Sequence, residues 1–68
     1  MKCVVVLKDV DGDMIVNEFE VENTIEAVKA VIDEEFWDSI EKVEIAENYE
    51  VFEVGDWGTK VVVVKLKE

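Results

Sequence analysis

The sequence of 68 residues predicts an α+β fold. The expectation is a single compact domain over residues 1–68, ordered β-β-α-β-β-β, with one helix packed on a mostly antiparallel five-stranded sheet. Three observations lead there. Short apolar or alternating runs of strand type flank one central segment. Within that segment, from Asn23 to Trp37, apolar residues recur at the helical period. No linker, repeat or low-complexity stretch divides the chain.

The first strand is the β-branched run Cys3-Val4-Val5-Val6-Leu7. Asp11-Gly12 then marks a hairpin, since Gly accepts positive φ at little steric cost. A two-residue loop would set Val5 opposite Glu18 and Cys3 opposite Glu20, mixing acids with apolar groups on one face. A loop one residue longer pairs Cys3 with Val21, Val5 with Phe19 and Leu7 with Asn17, and leaves Glu18, Glu20 and Lys8 on the other side. Because a slip of one residue exchanges the faces, burial selects the three-residue, bulged loop.

The helix starts at a capping-box-like pair, Asn23 and Glu26, and Ile25, Val28, Ile32 and Phe36 form its apolar stripe. Val31 widens the stripe, Trp37 falls near the helix end as a partly buried cap, and Asp33 and Glu34 lie on the solvent side. From Lys42 the period becomes two, with Val43 and Ile45 alternating with Lys42 and Glu44. Glu50 to Val54 makes a fourth strand, Gly55-Asp56-Trp57-Gly58 a turn, and Lys60 to Lys67 the last strand.

Val4 to Leu7 and Val61 to Val64 are apolar on both strand faces, which suits the interior of a sheet and predicts the spatial order 2-1-5-4-3. One helix covers only one sheet face. Val4, Val6, Val61 and Val63 are therefore expected as an apolar strip on the other, a surface for homodimerisation.

Composition excludes several function classes. Eighteen acids against seven bases give a net charge of -11, every base is Lys, and there is no Arg, His, Pro or Gln. Without His, and with Ser39 as the sole Ser, the common nucleophile and base constellations cannot be built, so no enzyme and no cofactor is expected. The single Cys3 makes neither an internal disulfide nor a cysteine zinc site; it is expected as a small buried hydrophobe in a reducing compartment. Gly12, Gly55 and Gly58 are isolated turn residues, not a phosphate loop. The longest apolar runs, VVVL and VVVV, are too short to span a bilayer, and no signal-like stretch is present, so the expected location is cytoplasmic.

The stretch DVDGDMIVNEFE sets Asp9, Asp11, Asp13 and Glu20 at the first, third, fifth and twelfth positions of a calcium-loop pattern. The sixth position, which turns sharply and calls for Gly, holds Met14, and the preceding segment is a strand rather than a helix. The acidic hairpin is the preferred reading. A calcium-binding loop on those four residues is the weaker alternative.

The acidic surface disfavours direct binding of nucleic acid and points to a basic partner protein. Glu18, Glu20 and Glu22 alternate near the second strand, and alternate strand residues lie about 7 Å apart, roughly two axial steps of a DNA strand at about 3.4 Å each. Glu44, Glu47, Glu50 and Glu53 form a second series across the third and fourth strands. Trp57 is either folded over the sheet or an exposed interface anchor.

A tiny, acidic, Pro-free domain with one helix on a small sheet resembles phage-encoded inhibitors of host defence, including several anti-CRISPR proteins. The resemblance lies in the layout of the whole chain, so it implies a class of partner and assigns no binding residue. The alternative function is a small self-assembling structural or regulatory subunit that uses the valine face.

Overall fold

The uniform and the alternating apolar runs pair into one antiparallel sheet, and the segment of helical period crosses behind it. The computed structural model describes residues 1–8, 11–55 and 58–66. The strands are β1 (Lys2–Lys8), β2 (Met14–Glu20), β3 (Ile40–Ile45), β4 (Tyr49–Val54) and β5 (Thr59–Lys65); α1 (Thr24–Val31) and a 3-10 helix at Glu34–Ser39 lie between β2 and β3. The spatial order is β2-β1-β5-β4-β3, the predicted α+β arrangement with the two valine-rich strands inside. Among the described residues, no helix is long and apolar enough to cross a membrane.

Two central registers define the core. Val5 lies opposite Val63 and Leu7 opposite Val61, while Phe52 lies opposite Val61 on the other side. These residues join Cys3, Ala27, Val28 and Val54 in a buried cluster against α1, with Phe19, Val21, Val31, Ile32 and Ile40 packed around it. Among the described residues, Phe52 is the largest side chain buried completely. Burying a side chain of this kind contributes about 1.5–3 kcal/mol.

The β1–β2 hairpin keeps the expected faces but not the expected register. Cys3 pairs with Phe19, Val5 with Asn17 and Leu7 with Ile15, each two residues from the expected partner. A slip of two returns every side chain to its own face, so burial does not separate the two registers and the turn decides between them. The last described pair is Lys8 with Met14, and residues 9 and 10, where the connection begins, lie outside the described residues. Gly12 does adopt positive φ, at 87°.

The helix begins as predicted and ends early. Asn23 Oδ1 accepts from the Glu26 amide at 3.1 Å, and Glu26 Oε2 accepts from the Glu22 amide at 3.1 Å, so two donors at the helix start are satisfied. Ile32 and Asp33 are extended, which breaks the expected stripe before Phe36 and Trp37. Trp37 supplies a reason: its Nε1 donates to the Ile32 carbonyl at 2.8 Å, filling an acceptor that a continuing helix would have used. Phe36 consequently lies in the 3-10 helix and is exposed, while Trp37 is partly buried beneath the Lys29 ammonium, 5.1 Å from the ring centroid.

Candidate functional site

The uncovered face of the sheet is set by strand alternation. With Cys3, Val5, Leu7, Phe52, Val54, Val61 and Val63 turned toward α1, the intervening residues turn away from it. The registers arrange them in rows across the strands. Val16, Val6, Val62, Val51 and Glu44 form one row, and Glu18, Val4, Val64 and Tyr49 the next. Met14, Lys8, Lys60, Glu53 and Glu41 close one end, and Glu20 lies opposite Lys2 toward the other.

This face corrects the expected valine strip. Val61 and Val63 are completely buried in the core, and Val62 and Val64 are the residues that join Val4 and Val6 on the open side. A run of four valines has no alternation to reveal its phase; only pairing with β1 sets it. Val16 and Val51, on β2 and β4, extend the strip and were absent from the sequence-based set.

The acids flank the strip instead of forming one ridge. Glu18 and Glu20 stand exposed on β2, one edge of the sheet, while Glu41 and Glu44 stand exposed on β3, the opposite edge. Four strand spacings, about 19 Å, separate the two edges. Glu22 lies past the end of β2, where its amide is held by Glu26. Glu47 is exposed between β3 and β4, and Glu53, half-buried, faces Lys60 across the β4–β5 pair. Tyr49 is exposed beside the strip, with its hydroxyl 3.5 Å from Glu44 Oε1.

Glu50 leaves the candidate surface altogether. It shares the inner side of β4 with Phe52 and Val54, and its side chain is only 8% exposed. Lys42 Nζ lies 2.6 Å from Oε1, Lys65 Nζ lies 3.2 Å from Oε2, and the Thr24 hydroxyl donates to Oε1 at 3.1 Å. Burial pushes the Glu50 carboxyl up, but the hydrogen bonds from Lys42, Lys65 and Thr24, with the Lys42 charge, outweigh it and hold the group below its ordinary range. The expected partner-binding carboxylate is a structural tie between α1, β3, β4 and β5.

The calcium ligand set is not brought together. Glu20 pairs with Lys2 at the far end of β2 from Asp13, with the strand, roughly 20 Å at about 3.3 Å per residue, between them. Among the described residues no group of three or more His, Cys, Asp or Glu could hold a metal ion. Asp9 and Trp57 lie outside the described residues. Ser39 donates its hydroxyl to the Phe36 carbonyl at 2.8 Å, a local cap.

A groove of ≈ 200 Å³ lies between the end of α1 and the β4–β5 turn, lined by Val31, Ile32, Asp33, Phe36, Val54, Gly55 and Thr59. It is smaller than the roughly 300–1,000 Å³ typical of small-molecule sites. Among the described residues, Asp33 is its one charged lining residue.

The chain matches no protein-family model, no curated protein and no solved structure. The open face is a side of the sheet that the buried core does not use. It combines an apolar centre with carboxylates along both edge strands.

Proposed function

We propose that this protein is a non-catalytic binding module whose open sheet face docks on a basic surface of a partner protein. One observation carries the reading: the strip of Val4, Val6, Val16, Val51, Val62 and Val64 is bordered by Glu18 and Glu20 on one edge and by Glu41 and Glu44 on the other. An apolar patch rimmed by charge is the usual anatomy of a specific interface. The net charge of -11 favours lysine- or arginine-rich partners and accelerates their encounter. A surface that otherwise holds a nucleic-acid backbone has the matching sign. Occupying it would inhibit the partner, as a phage-encoded inhibitor of host defence such as an anti-CRISPR protein does.

Affinity capture followed by mass spectrometry tests the proposal, with Glu18→Lys/Glu20→Lys and Val62→Thr/Val64→Thr variants alongside. Capture of a basic protein, slower association of the charge variant and faster release of the valine variant are expected. A partner bound with unchanged affinity by both variants, and without loss between 50 mM and 500 mM salt, would rule the reading out. Self-assembly through the same valines is the second reading, favoured by the exposure of Val16 and the partial exposure of the other five on an uncovered sheet face and opposed by the charge that two copies bring together. Sedimentation that shows a dimer at low salt would favour it.

A further inference from the structure

The outer edge of β2 differs from the other edge of the sheet. β3 carries a bulge between Lys42 and Glu44 and an exposed lysine, both of which discourage strand pairing. β2 pairs with β1 without interruption over seven residues, contains neither Lys nor Pro, and is exposed except at Phe19. Its backbone phase follows from the bonds between Met1 and Val21. The Met1 amino group donates to the Val21 carbonyl at 2.9 Å, and the Val21 amide donates to the Met1 carbonyl at 2.9 Å. In an antiparallel ladder such doubly bonded pairs alternate. Cys3–Phe19, Val5–Asn17 and Leu7–Ile15 therefore share that phase, and the amides and carbonyls of Met14, Val16, Glu18 and Glu20 point away from β1.

The same four residues place their side chains on the open face. From the geometry we infer that β2 receives an extended segment of a basic partner as a sixth strand, hydrogen-bonded to the outward groups of Met14, Val16, Glu18 and Glu20. The inference rests on the proposed basic partner and adds how it is held. Charge complementarity defines the segment: lysine or arginine at two alternate positions opposite Glu18 and Glu20, then apolar residues opposite Met14 and Val16. Opposite charges facing across a strand pair are favourable, and like charges are not. A second copy is the poorer occupant, because a two-fold pairing centred on Asn17 sets Val16 against Glu18 and Met14 against Glu20.

The probe is a blocked peptide with lysine at two alternate positions, followed by threonine and valine. Its controls carry glutamate for lysine, or N-methyl groups on the lysines and the residues in phase with them. Amide exchange is followed by NMR. The lysine peptide is expected to slow exchange at Met14, Val16, Glu18 and Glu20 and to leave Ile15, Asn17 and Phe19, already bonded to β1, unchanged. N-methylation is expected to weaken binding about tenfold, the order of one or two lost hydrogen bonds. Val16→Pro, which removes only an outward amide, should weaken it similarly.

Binding without alternate protection, indifferent to N-methylation, would overturn strand addition and leave the acidic-face reading standing. No preference for the lysine peptide over its glutamate control would overturn the basic partner segment itself. Alternate protection that appears without peptide and rises with protein concentration would assign the edge to a second copy, against the inference. The N-methylated peptide keeps the test decisive if Val16→Pro fails to fold.

Discussion

Lys42 Nζ lies 2.6 Å from Glu50 Oε1, although the strand register sets Lys42 opposite Phe52 and Ile45 opposite Glu50. The lysine reaches its partner diagonally, with its ammonium 5.6 Å from the Phe52 ring centroid. Its aliphatic stem thus shields the aromatic core while its head answers the buried carboxylate. Lys65, from the other neighbouring strand, supplies the second cation. Three strands and the start of α1 meet at one charge.

Replacing Glu50 with Gln removes that charge and leaves two lysines without their anion. Since both lysines are partly exposed and can turn to water, the expected destabilisation is about 1–3 kcal/mol, in the range for charged hydrogen bonds. Lys42→Met should cost less, because Lys65 and Thr24 still serve the carboxylate. Urea unfolding of the two variants measures the difference.

Acid should erase the advantage of Glu50 over Gln. The folded carboxyl titrates below its ordinary value of 4.5, so as pH falls the unfolded chain takes up its proton first and is favoured by linkage. The stability gap between wild type and Glu50→Gln is therefore full above the unfolded value and shrinks as pH falls through the lower, folded one. Paired denaturant titrations from neutral to acid pH check this. A gap that widens toward acid would contradict the sign.

Salt should stabilise the folded chain. The molecule measures 34 × 23 × 19 Å, and carries a net charge of -11. The screening length falls from about 30 Å at 0.01 M salt to about 10 Å at 0.1 M, from the scale of the whole molecule to a fraction of it. The melting temperature should rise over that interval. A flat profile would mean that the acids are already compensated or too widely spaced to matter.

Cys3 should be unreactive until the chain opens. Its side chain is completely buried, and burial pushes the thiol above its ordinary value of 9.0, partly offset by the N-terminal charge. Labelling with a thiol reagent at mildly alkaline pH should follow the unfolding equilibrium and accelerate in denaturant. Rapid native-state labelling would contradict the burial.

Asn23→Ala should cost about 0.5–2 kcal/mol by freeing the Glu26 amide at the helix start. For a domain of this size, each kcal/mol corresponds to about 4–8 °C in melting temperature. Asn23→Asp, which keeps the acceptor, should restore most of the loss in a thermal scan followed by circular dichroism.

Local pattern determined much of this protein: the α+β class, the order of the strands, the faces of the first hairpin and the capped start of α1. Each follows from the period of apolar residues or from a side chain bonding its near neighbours, and both are written along the chain. Tertiary structure alone decided the phase of Val61 to Val64, because a uniform run looks the same in either phase until Val5 and Leu7 are paired to it. It also decided the fate of Glu50. The motif Tyr49-Glu50-Val51-Phe52-Glu53-Val54 puts one acid on each strand face, and Phe52 with Val54 draws Glu50 inward toward Thr24, Lys42 and Lys65. The helix end was decided by Trp37, five residues beyond the Ile32 carbonyl that it caps. Sequence periodicity specifies which side of an element is apolar; which groups meet there depends on strands and turns that come together only when the chain folds.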